Sequence, residues 1–254
     1  MKENGNVETA INNGIAAVTF SHPRGNSLPA ELLARLAAAI TRAGDNPEVS
    51  VIILKSTGEG PFCAGASFEE LIAIDSFEKG RAFFMGFANV INAMRKCPKF
   101  IIARIHGKAV GGGVGLAAAA DYALALGTAS VKLSEFALGI GPFVVGPAVE
   151  RKTGKSAFAC MATDADWHDA PWAREKGLYN NVYTTMIELD NAVVALAGKL
   201  AIYSPDAARE LKRILWEDAS DWDALLEQRA EISGRLVLSD YTEKAISAFR
   251  NKQK

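Results

Sequence analysis

The chain has 254 residues, 49% of them apolar, and a formal net charge of −1. This composition supports one sizeable folded core and offers neither a basic field for nucleic acid nor an acidic tail. Three scattered cysteines (Cys63, Cys97, Cys160) form no CxxC pair, and the opening MKENGNVETA lacks the apolar run of a secretory signal. Both features favour a reducing, cytoplasmic setting.

Residues 7–11 and 15–20 flank Asn12, Asn13 and Gly14, which predicts an opening β-hairpin. Ser27, Leu28 and Pro29 introduce residues 30–43, where Leu32, Leu33, Leu36 and Ile40 fall at helical spacing. The β-branched run 49–55 reads as a buried parallel strand. A loop rich in Gly and Pro ends in FCAGAS, and a helical pattern then runs to about Arg95, with a break at Asp75 and Ser76. The plan recurs in 100–105, a second buried strand. His106, Gly107 and Lys108 make a turn, and Gly111, Gly112 and Gly113 bend into a helix over 114–120. Residues 121–126 and 130–133 predict further strands, 139–147 a loop, 148–176 helix and 182–183 a short extended piece.

From 188 onward the pattern is helical, with helix starts at Ser204, Ser220 and Ser239. The apolar stretch 109–126 contains four glycines and Asp121, whose carboxylate would be costly in lipid, so it reads as buried protein and not as a membrane span. A soft boundary near 190 divides a mixed α/β core, 1–190, from a helical region, 191–254.

The chemistry sits in a repeated strand–glycine loop–helix unit, VIILKSTGEGPFCAGASFEEL and FIIARIHGKAVGGGVGLAAA. Each unit ends at a helix N-terminus, which presents unpaired N–H donors and the positive end of a dipole. Two such ends facing one cavity would grip a developing oxyanion, where a single donor contributes roughly 3–4 kcal/mol to the transition state. No nucleotide-binding, nucleophile or zinc motif accounts for the glycines. Val149 stands where a P-loop ending in Gly154, Lys155 and Ser156 needs its first glycine, GGGVG does not complete GxGxxG, and no GxSxG elbow or HExxH pair occurs.

FCAGASFEEL, HGKAVGGGVGLAAAADYALA and KLSEFALGIGP together resemble the signature stretches of enoyl-CoA hydratases and isomerases, the crotonase superfamily. The resemblance covers nearly the whole chain. It implies an α/β spiral of ββα repeats with a C-terminal helical trimerisation region, and a homotrimer or dimer of trimers. It also implies an acyl-CoA thioester substrate, with CoA part of that substrate and no metal or other cofactor.

Carried over by residue, Ala66 and Gly112 would supply the oxyanion N–H pair. Ala64, Ser67 and Phe68 would lie along the CoA adenine and pantetheine, with Ser67 where most members have Asp. Arg24 would face the CoA phosphates, Ser27 and Leu28 would border the channel, and Gly111 and Phe143 would complete the binding surface.

Hydratases of this family carry two glutamates. Gly115 stands in place of the first, and Glu135 matches the second. One carboxylate suffices to move a double bond, so the resemblance implies conversion of a 3-enoyl-CoA to a 2-enoyl-CoA. Hydration is the alternative, with Glu69 or Glu70 replacing the missing acid, and a non-catalytic acyl-CoA-binding protein is a third reading. Phe143 stands where dienoyl-CoA isomerases and hydroxyacyl-CoA hydrolases have an acid. Acyl length and pathway stay open among fatty-acid, branched-chain amino-acid and aromatic-acid breakdown.

Phe136, Leu138 and Phe143 are expected to raise the Glu135 pKa. Asp121 and His106 are expected to be structural, and Trp167, Trp172, Trp216 and Trp222 to pack helices. Lys212 is expected on a solvated helix face, with a CoA phosphate across a subunit boundary as its other possible partner.

Overall fold

A computed structural model describes residues 5–252. Strand β1 (Asn6–Asn12) pairs antiparallel with β2 (Ile15–Ser21), and both Asn13 and Gly14 adopt the positive φ that this tight turn demands. Helix α1 (Ala30–Asp45) leads to β3 (Val51–Ser56). The first glycine loop then delivers the chain to the short α2 (Phe68–Ile72) and the long α3 (Phe77–Lys96), whose N-cap is Ser76. Strand β4 (Phe100–Ile105) continues through β5 (Ala109–Val110) into α4 (Gly112–Ala119), then β6 (Tyr122–Leu126) and β7 (Val131–Lys132).

Helix α5 (Gly146–Asp164) begins inside the stretch expected to be loop, because Pro147 fits a helical first turn. It is broken at Gly154 and ends before the left-handed Ala165, so the helix expected over 148–176 divides into α5 and α6 (Ala170–Glu175). Strand β8 (Asn181–Tyr183) and helices α7 (Met186–Ala201), α8 (Pro205–Leu215), α9 (Trp222–Leu236) and α10 (Asp240–Lys252) complete the chain. The expected boundary near 190 falls within α7.

Six strands form one sheet in the order β1-β2-β3-β4-β6-β8, parallel from β2 onward. The period of two along each strand divides its side chains between two cores. Ile52, Leu54, Ile101, Ala103, Ala123 and Ala125 face the main core, with α1, α3 and α4. Val51, Ile53, Ile102 and Leu124 face the opposite side, which α7 covers with Leu189, Val193 and Ala197. This is the covered parallel sheet that the near-continuous apolar runs imply.

Asp121 is structural, as expected, and it overturns both readings of Lys212. Asp121 Oδ2 accepts from Ile101 N at 2.7 Å and from Lys212 Nζ at 2.8 Å, while Oδ1 accepts from Trp216 Nε1 at 3.2 Å. Lys212 also donates to Lys99 O at 2.7 Å and is 2% exposed. It therefore faces neither solvent nor a CoA phosphate, and it joins α8 to the end of the sheet through a buried ion pair. The hydropathy pattern concealed this because a lysine on a helix that also carries Arg209, Glu210 and Arg213 looks like a solvated one.

Candidate active site

A second, smaller set of pairings lies beside the main sheet and builds the site. Strand β5 pairs in parallel with β7, and bridges extend the array to Cys63, to the Leu28–Ala66 pair and to His168. Within it Leu28 N donates to Gly65 O at 2.8 Å and Ser67 N to Leu28 O at 3.2 Å. Val110 N donates to Cys63 O and Gly111 N to Lys132 O, each at 2.9 Å. The two glycine loops are thus locked side by side by their own backbones. An ideal Cβ on Gly65 would lie 3.9 Å from Gly112 N, a measure of how closely the loops approach.

The N–H groups of Ala66 and Gly112 are among those these pairings leave free. Among the described residues, neither Ala66 N nor Gly112 N donates to a protein acceptor. Ala66 immediately precedes Ser67, whose side chain caps α2 by accepting from Glu70 N at 3.3 Å. Aspartate caps helices as well as serine does, so the departure at Ser67 keeps the local geometry. Gly112 opens α4, where a first-turn N–H has no intrahelical partner. A Cβ there would meet the ring of Phe87, so any larger residue requires that ring to move.

Both loops line a cleft of about 820 Å³. Of the residues expected at the site, Arg24, Ser27, Ala64, Ala66, Ser67, Phe68, Gly111, Gly112, Glu135 and Phe143 all line it. Leu28 does not: its side chain is fully buried, and it serves the site only through its backbone bonds. Phe136 is 58% exposed and lies off the cleft, whereas Leu138 and Phe143 line it. Lys132 joins the lining without any motif to mark it in the sequence, and Trp167, expected to pack helices, lines the cleft instead. Trp167 is exposed, and the Lys108 and Lys132 ammonium groups lie 4.9 and 5.9 Å from its ring centroid. Trp216 and Trp222 do pack helices, edge to face at 5.7 Å.

Glu135 sits on a tight turn just after β7. Its carbonyl accepts from Leu138 N at 3.1 Å and Ile140 N at 3.0 Å, which fixes the backbone beneath its side chain. The carboxyl lies over Gly111, where an ideal Cβ would come within 2.9 Å of Oε1; that position (φ 51, ψ −111) needs glycine for space and for conformation. Oε2 is buried without a hydrogen-bond partner, and burial raises the Glu135 pKa to about 7.

Two other carboxylates near the cleft are engaged elsewhere in this structure. Glu69 is paired with Arg24 at the exposed mouth of the cleft, and Glu70 is occupied by accepting from Ala30 N at 2.9 Å. Gly115 is enclosed, since a Cβ there would lie 2.6 Å from Val145 Cγ1 and 3.5 Å from Ile91 Cδ1. Any longer side chain at 115 must displace Val145, which itself lines the cleft.

The sequence model of a family described as enoyl-CoA hydratase/isomerase matches residues 10–254. The chain belongs to that family. It is a crotonase-superfamily enzyme, and its relatives bear both kinds of name. It is 28% identical to the short-chain-enoyl-CoA hydratase of Clostridium acetobutylicum over 94% of this chain and 92% of that protein. It is also 28% identical to the peroxisomal Delta(3,5)-Delta(2,4)-dienoyl-CoA isomerase of Arabidopsis thaliana, over 90% and 87%. The fold matches the crystal structure of an enoyl-CoA hydratase from Bacillus halodurans with a TM-score of 0.89 at 24% identity, over 95% and 99% of the two chains. Among the described residues, no helix is long and apolar enough to cross a membrane.

Proposed function

We propose that this crotonase-family enzyme converts 3-enoyl-CoA thioesters to 2-enoyl-CoA thioesters, with Glu135 as the single acid–base. The observation that carries this reading is the set of carboxylates at the cleft: Glu135 lies against Gly111 with Oε2 buried and without a partner, while Glu69 is held by Arg24. With the thioester oxygen between Ala66 N–H and Gly112 N–H, Glu135 removes a proton from C2. The C–H electron pair delocalises through the C3–C4 double bond and the thioester carbonyl as a dienolate, whose oxyanion the two N–H groups stabilise. Glu135 returns the proton at C4, leaving the double bond between C2 and C3. Atoms balance without water, redox equivalents or a metal.

Glu135 with a pKa near 7 suits both halves of this transfer, since it can take and return a proton near neutral pH. The apolar walls Phe83, Phe84, Phe87 and Val145 suit an acyl chain, and Arg24 at the mouth suits the CoA phosphates. Exposed Ile202, Leu211, Ile214 and Leu215 offer apolar surface for an interface between copies, in keeping with the homotrimer or dimer of trimers that the family resemblance implies.

The test compares the enzyme with its Glu135→Gln variant on 3-enoyl-CoA isomerisation and on hydration of crotonyl-CoA. Isomerisation that rises with pH through about 7 and collapses in the variant is the expected result. Strong hydration by the wild type would refute the one-base reading in favour of a hydratase, and tight thioester binding without turnover would mark a binding protein.

A further inference from the structure

We propose that Cys160, Asp164 and His168 form a zinc site on the surface, separate from the acyl-CoA cleft. None of the three lines that cleft, and the reaction above makes no use of them. Cys160 and Asp164 lie one turn apart on α5, and His168 returns to the same spot after the left-handed Ala165 ends the helix. Their donor atoms all lie within 4.8 Å of one another. Cys160 Sγ is 3.4 Å from Asp164 Oδ2, and His168 Nε2 is 3.2 Å from the same oxygen. Zinc–ligand bonds of about 2.0–2.3 Å at tetrahedral angles separate the ligands by about 3.3–3.8 Å. Two of the three edges are therefore already close to tetrahedral length, and water can fill the fourth position.

The ligands are held in place by contacts outside the cluster. His168 exchanges backbone hydrogen bonds with Val131 at 2.8 and 2.9 Å, and its ring stacks on Trp172 with centroids 4.1 Å apart. Asp164 Oδ1 accepts from Asp166 N at 3.0 Å, which holds the carboxylate in place with His168 Nε2 3.3 Å from Oδ1 as well. A sulfur, an imidazole nitrogen and a carboxylate oxygen suit a borderline-soft cation and not calcium or magnesium. Bound zinc would tie the end of α5 to the turn carrying Trp167, and so bears on the cleft wall without entering the chemistry.

The test is titration of the reduced, untagged protein with Co²⁺, followed by its absorption. Cys63 and Cys97 are buried, so a thiolate-to-cobalt charge-transfer band reports Cys160. The expected result is such a band, saturating near one equivalent, displaced by Zn²⁺ and absent in Cys160→Ser. His168→Gln, with circular dichroism unchanged, should weaken binding at least about tenfold, the smaller effect typical of removing even an outer-shell partner. No band at millimolar Co²⁺ overturns the proposal. So does a band of unaltered affinity in both His168→Gln and Asp164→Asn, since the metal would then be held elsewhere.

Discussion

Replacing Glu135 with glutamine should stabilise the protein while abolishing its isomerase activity, and the stabilisation should depend on pH. Burial raises the carboxyl from its ordinary 4.5 to about 7. The folded state therefore binds more protons than the unfolded state between those values, and native stability falls as pH rises through that window. Above about pH 7 the full cost of holding a buried carboxylate is present; below 4.5 it is absent. The difference corresponds to roughly 3 kcal/mol at 1.36 kcal/mol for each pH unit, a ceiling because part of the residue remains exposed. Glutamine keeps the shape and cannot ionise. Urea unfolding of both proteins at pH 5 and pH 8, at one protomer concentration, measures the effect. The variant should gain on the wild type by up to about 2.5 kcal/mol between the two conditions, because at pH 5 the unfolded carboxyl is already largely ionised. Equal displacement of both unfolding curves with pH would refute the claim that the carboxyl is desolvated in the free enzyme, and with it the case for a base poised near neutrality.

Lys212→Met should cost about 3–5 kcal/mol in urea unfolding, because it leaves Asp121 charged and buried without its cation. Adding Asp121→Asn should recover much of that loss. Gly115→Glu should destabilise the protein by at least about 1–3 kcal/mol in thermal or urea melts, because the new side chain meets Val145 and Ile91. It should not create hydratase activity unless Val145 is also cut back to alanine. A stable, hydrating single variant would show that the space at 115 is not closed.

The elements were legible in the sequence where local chemistry settles them. Asn13 and Gly14 specify a tight hairpin turn, and the β-branched runs that became β3 and β4 can be soaked up only by a sheet covered on both faces. The two glycine loops were legible because backbone N–H groups near helix starts form a pattern that reads along the chain, whereas Glu135 was marked only by the resemblance of KLSEFALGIGP to a family signature. The division of the 148–176 stretch was harder to see: Gly154 marks the break, but Ala165 in a left-handed conformation carries no compositional signal.

Other properties were decided by residues distant in sequence. Whether Lys212 meets water or Asp121 depends on α8 docking at the end of the sheet, 91 positions away. Trp167 reaches the cleft because the bridge at His168 carries its turn there, and Leu28 leaves the cleft because its backbone, not its side chain, faces Ala66. The sequence alone determined which groups are present and that Gly115 removes one acid. Tertiary packing determined that Val145 closes that space and that burial of the Glu135 carboxyl moves its pKa to the range the proposed chemistry uses, since desolvation is a property of everything that surrounds a group and not of its neighbours in the chain.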